Sequence, residues 1–171
     1  MAKFQMKDTI DSDRFTARLG AGTGLANYVT DKEIGKAVKF VGDSRYDLCS
    51  AGDPIEGFID AVETYTADDY SIGTVRSEDR MRVTLDGLQA TPGTGTIAVG
   101  DYVVCGTVVA KGTALSGPVK VCKATLQIGA TPATLAEAGT LIKASVFAWR
   151  VISLDGTGAV GQTATIERVN P

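Results

Sequence analysis

Between Gly35 and Gly87 the chain reads as short apolar runs cut by Gly, Asp and Pro. Each run is about the length of a strand, and each break has turn chemistry. Met81, Val83 and Leu85 alternate with Arg82 and Thr84, the period-two pattern of a half-buried strand. The runs predict strands over 36–41, 46–49, 57–62, 71–75 and 81–85. After the loop 87–95, which holds Pro92 and three glycines, they predict strands over 97–99, 102–109, 119–125, 143–154 and 163–169. One short helix is allowed, over 132–138, with Thr131 as N-cap and Gly139 as its stop. The pattern of many short strands and tight turns is that of small barrels and sandwiches. Ala51-Gly52-Asp53-Pro54-Ile55 and Val99-Gly100-Asp101-Tyr102-Val103 form a loose echo, each placing Gly-Asp at the entry to an apolar run.

The first part of the chain is patterned differently. Phe4, Met6, Ile10, Phe15 and Leu19 are spaced apart by charged and small residues, and Gly20-Ala21-Gly22-Thr23-Gly24 follows. Residues 1–31 are expected to form an extended arm, or a first strand plus a flexible joint, ahead of a β-rich body over 32–171. Such a segment cannot bury its apolar side chains alone, so those five residues are the expected contacts with the body or with a neighbour.

Composition narrows the partners. The 171 residues suit one domain, or one domain with an arm, and 44% apolar with 22% charged residues is ordinary for a globular chain. A net charge of −3 argues against a nucleic-acid partner, which needs a basic face. The charge is split. Residues 34–79 carry four basic and ten acidic groups, whereas residues 80–171 carry eight basic and five acidic. These halves can attract each other within one fold or between neighbouring copies in a head-to-tail ring. Cys49, Cys105 and Cys122 each lie in or beside an apolar run and are expected as buried free thiols, which suits synthesis in a reducing cytoplasm. MAKFQMKDTIDSDR has no apolar core of signal-peptide length, and no run approaches a membrane span, so no membrane association is expected.

Candidate chemistry is sparse. The chain has no histidine, which removes Ser-His-Asp and Cys-His nucleophiles and His-ligated metal sites. The 20–24 glycine run lacks the Gly-Lys-Ser/Thr ending of a phosphate loop. The closest carboxylate pairs, Asp11/Asp13 and Asp68/Asp69, are too few for a calcium cage. Asp53, Glu56 and Asp101 are the groups from which a carboxylate site in a barrel mouth would be built. Trp149 shares a strand face with Phe147 and Val151 and is expected in the core. No catalytic, metal or cofactor residue is expected.

The runs GKAVKF (35–40), YDLCSAGDPIEGFI (46–59), SIGTV (71–75), MRVTL (81–85) and VGDYVV (99–104) resemble, in order and turn style, the decoration or cement proteins of tailed-bacteriophage capsids. The resemblance implies an all-β fold, a small antiparallel barrel or β-tulip-like body with an extended N-terminal arm. It implies a structural virion protein, not an enzyme, made in the host cytoplasm. Such a protein binds the major capsid protein on the outer capsid surface, bridges capsomers, and pairs with itself as a trimer or other small homo-oligomer. The arm residues Phe4, Met6, Ile10, Phe15 and Leu19 would make capsid or subunit contacts by strand addition. Removing residues 1–18 is then expected to leave a folded body that no longer decorates. The alternatives are another virion component (tail-tube, head-completion or fibre-associated) or, less favoured, a small β-barrel ligand-binding or hydrolytic module.

Overall fold

The computed structural model of the chain describes residues 14–20, 27–42, 45–64, 71–77, 80–125 and 148–169. They are all-β. The strands are β1 (Arg14–Leu19), β2 (Ala37–Gly42), β3 (Arg45–Leu48), β4 (Gly57–Glu63) and β5 (Ser71–Arg76), then β6 (Arg80–Leu88), β7 (Thr91–Pro92), β8 (Tyr102–Cys105), β9 (Lys120–Lys123), β10 (Trp149–Leu154) and β11 (Thr163–Arg168). The first five close into a barrel in the order β1-β3-β2-β4-β5. Only β1–β3 is parallel; the other four pairings are antiparallel.

The remaining strands repeat that arrangement. β6 pairs with β9 in parallel, and β9–β8, β8–β10, β10–β11 and β11–β6 are antiparallel, so these five strands also form a closed ring. β7 is a short hairpin partner added to β6. The correspondence holds residue by residue. Ile59 opposes Val75 and Val151 opposes Ile166, and a bulge follows at the same place in each, between Ile59 and Ala61 and between Val151 and Ser153. Gly35 N–H donates to Ile59 O (2.7 Å) as Gly100 N–H donates to Val151 O (2.8 Å), and the return bonds run from Ile59 N–H to Lys36 O and from Val151 N–H to Asp101 O. Both glycines have positive φ, 85° and 93°, which their turns require. The described residues therefore form two structurally equivalent five-stranded barrels in tandem. The Gly-Asp echo in the sequence lies in a different register: Gly100 corresponds to Gly35, not Gly52.

The interiors match as well. Ala17, Leu19, Val38, Ile59 and Val75 pack the first barrel. Their counterparts Val83, Leu85, Val103, Val151 and Ile166 pack the second. The second core also takes Trp149 where the first has Gly57, and Ala164 where the first has Gly73. In the first barrel there is no room for either: a Cβ on Gly57 would stand 2.6 Å from Arg76 O, and one on Gly73 would collide with Ala61 O and Leu19.

Several sequence-based boundaries shift. Leu19 is not an arm residue available to a neighbour: it is fully buried in the first barrel, on a strand paired along its length with β5. Phe15 lies on the same strand. The body therefore starts at Arg14 rather than at residue 32, and cutting the chain after Arg18 would remove β1 and open the barrel. Phe4, Met6 and Ile10, the helix expected over 132–138, and the Asp11/Asp13 and Asp68/Asp69 pairs lie outside the described residues. Residues 97–99 form no strand; Ile97 is a buried loop residue beside the single bridge Thr96–Ala159. The strand expected over 102–109 stops at Cys105. Gly106 there backs onto the Asp86 side chain and the Lys120 backbone, and the chain turns outward into the loop 106–119.

Candidate functional site

The two barrels are joined by a dense polar and apolar junction, and its centre is a buried ion pair. Thr30-Asp31-Lys32-Glu33 is a capping box around the 3-10 turn Asp31–Glu33. Glu33 Oε2 accepts from the Thr30 N–H and from the Thr30 hydroxyl, both at 2.8 Å. Glu33 Oε1 accepts from Gly112 N–H at 2.6 Å and lies 3.5 Å from Lys36 Nζ. Lys36 Nζ in turn donates to the carbonyls of Ala110 (3.0 Å) and Val109 (3.5 Å). A fully buried carboxylate and a buried ammonium of the first repeat thus grip the backbone of the 106–119 loop of the second. Burial alone would raise the Glu33 pKa. The hydrogen bonds from the Thr30 and Gly112 N–H groups and the Thr30 hydroxyl, with the Lys36 charge, outweigh it and hold the carboxyl below its ordinary value.

Around this pair the backbones interlock. Gly52 N–H donates to Cys105 O (2.7 Å), and Cys105 N–H donates to Asp53 O (3.0 Å). Arg168, at the end of β11, donates to the carbonyls of Glu56 (2.9 Å) and Ser77 (2.8 Å). Phe58 of the first barrel stands edge-on to Trp149 of the second, ring centres 5.0 Å apart, which is a favoured geometry for aromatic pairs. Both rings are buried, in line with the expected core role of Trp149.

A cavity of about 110 Å³ opens at the junction, lined by Leu48, Cys49, Cys105, Leu115 and Val119 among others. Cys49, Cys105 and Cys122 are all buried free thiols. The neighbouring Cys105 thiol, and then burial, push the Cys49 thiol strongly upward. Burial, followed by the Asp86 carboxylate, pushes Cys122 up to about 11. Cys49 and Cys122 are thus thiols held protonated, the opposite of an activated nucleophile.

The three carboxylates from which a barrel-mouth site would be built do not converge there. Asp53 pairs with Lys39 (2.6 Å) and accepts Ser50 N–H (2.7 Å) within its own turn. Glu56 lies 3.6 Å from Arg168. Asp101 pairs with Lys123 (2.9 Å) and accepts Ala98 N–H (2.8 Å). None of the three lines the cavity. Among the described residues there is no cluster of three or more metal-ligating side chains, and no helix is long and apolar enough to cross a membrane. What the surface does offer is large apolar groups: Phe40, Val41, Val99 and Tyr102 are exposed, and Phe40 packs edge-on against Tyr46. The Glu33–Lys36 clamp was not anticipated from sequence, although the T-x-x-E spacing at 30–33 announces its capping box. No family model, curated protein or solved structure matches this chain.

Glu33→Gln is expected to destabilise the protein by about 3 kcal/mol, because it leaves Lys36 buried without a counter-charge. Because the folded-state pKa of Glu33 is depressed, its contribution is present above the ordinary value of 4.5 and is lost as pH falls through the folded value. Urea titrations from pH 7 to pH 3 check this: the gap between wild type and Glu33→Gln should narrow below pH 4.5. A thiol reagent at pH 8 should label the native protein slowly and all three cysteines at once in denaturant.

Proposed function

We propose that the chain is a structural virion protein that binds the outer surface of a tailed-phage capsid. There it contacts the major capsid protein and other copies of itself, and stabilises the shell by bridging capsomers. The reading has no catalytic step and no cofactor. Its main support is the use of polar groups. Asp53, Glu56 and Asp101 are engaged in turns and ion pairs, while Phe40, Val41, Val99 and Tyr102 are exposed on the double barrel. That is the distribution of a contact surface, and it agrees with the turn style shared with capsid decoration proteins. Weak contacts of this kind gain strength by repetition over a symmetric lattice, where each bound copy raises the effective concentration of the next contact.

The test is co-sedimentation of the purified protein with capsids of the phage that encodes it, followed by imaging of the decorated particle. Density at every capsomer junction is the expected outcome. Density confined to the tail or to one vertex, or no binding, would reject the reading. The arm component is tested separately by removing residues 1–13, which keeps β1 whole. The expected result is a folded protein with much weaker capsid binding, and unchanged binding would remove the arm from the interface.

A further inference from the structure

The equivalence of the two barrels makes the junction between them a head-to-tail contact, and one half of that contact is left open on each side of the molecule. In the second barrel, the end marked by Cys105, Val121 and Trp149 is covered by the first barrel, whose Ala37, Cys49, Ile55 and Phe58 join the same buried cluster. Strand register maps that covered end onto Phe40, Tyr46 and Gly57 of the first barrel. It maps the covering face, Ala37 and Phe58, onto Tyr102 and Arg150 of the second. The two surfaces share no position, so the contact is heterologous rather than self-complementary.

Each unused counterpart has an accessible part, although Gly57 is buried and Tyr46 packs partly against the first core. Phe40 is 54% exposed and Val41 38%, whereas Cys105 at the equivalent of Phe40 is 2% exposed. Tyr102 is 41% exposed, whereas Ala37 at its equivalent is 3% exposed. The backbone tells the same story. Cys105 N–H and C=O are taken by Asp53 and Gly52 of the first barrel. The β2–β4 pairing stops at Val38–Gly57, so among the described residues no strand reaches Phe40 on that side.

We infer that the Phe40–Val41–Tyr46 end of the first barrel receives the Tyr102–Arg150 face of the second barrel of another copy, repeating between molecules the contact that joins the two barrels within one. Arg150 stands where Phe58 stands in the internal contact, and a guanidinium close to an exposed aromatic ring such as Phe40 is a favourable contact. Such an interface closes into a ring or continues as a chain of copies. It gives the self-association in the proposed function a specific surface, yet it concerns the free protein and stands or falls without any capsid.

Sedimentation velocity of the full-length protein over a range of concentration tests it. The wild type should self-associate as its concentration rises. Phe40→Asp and Tyr102→Asp should each weaken association about tenfold or more, with Trp149 fluorescence confirming that both fold. The decisive sample is the mixture of the two variants. Each keeps one intact half, so the mixture should form dimers and nothing larger. A wild type that stays monomeric throughout overturns the inference. So does a loss caused by Phe40→Asp alone, which would indicate a self-complementary patch or a surface covered by residues 1–13. A mixture that remains monomeric while the wild type associates also overturns it.

Discussion

The Glu33–Lys36 pair is the interaction on which the relation between the barrels turns. Two opposite charges taken fully out of water are expensive, and their mutual attraction rarely offsets that cost unless every remaining lone pair and proton finds a partner. Here the partners are backbone groups: Thr30 on one side, and Val109, Ala110 and Gly112 on the other. The loop 106–119 contains no strand and would otherwise leave those carbonyls and that N–H to be satisfied elsewhere. The pair therefore does more to define where that loop sits than to add net stability. The loop roofs the junction cavity, and Leu115 comes close enough that a Cβ on Gly35 would touch it at 3.3 Å.

Given that anchor, the pair of equivalent barrels explains why the two halves differ in composition while sharing a topology. A five-stranded ring has a narrow interior, so side-chain volume must be shared among positions rather than fixed at each. The first barrel uses glycine at 57 and 73 and carries its large aromatic, Phe58, toward the neighbour. The second takes Trp149 and Ala164 at the matching positions and points Arg150 outward. The two rings differ where one barrel touches the other, and share apolar residues at matched interior positions such as Leu19 and Leu85, or Val38 and Val103.

The all-β character, most strand positions in the middle of the chain, the burial of Trp149 and the free buried thiols were legible in sequence. Each depends on local rules: alternation, turn residues, and apolar context. The equivalence of the two barrels was not legible. The strands correspond through register and hydrogen bonding, while few residues coincide (Arg14 with Arg80, Leu19 with Leu85, Gly35 with Gly100, Val38 with Val103, Thr74 with Thr165). The longer connections between β8 and β9 and between β9 and β10 hide the period. The first strand was legible only as one of two alternatives, beside an extended arm. Phe15, Ala17 and Leu19 alternate correctly, but the glycine run after them reads as a joint, and only the pairing of β1 with both β3 and β5 makes it a wall of the barrel.

Sequence by itself determined the class of fold and the scarcity of reactive groups, because patterning and residue type carry those directly. It also determined the division of charge between the two halves. Tertiary structure decided how the strands close into two equivalent rings, which charges are buried together, and which apolar residues remain in solvent. Phe40 and Cys105 show the physical reason. They hold equivalent positions on equivalent strands, and both face their barrel's interior side in the alternation. One is exposed and the other buried because the neighbouring barrel lies over only one of them, and that neighbour is set by contacts far apart in the chain.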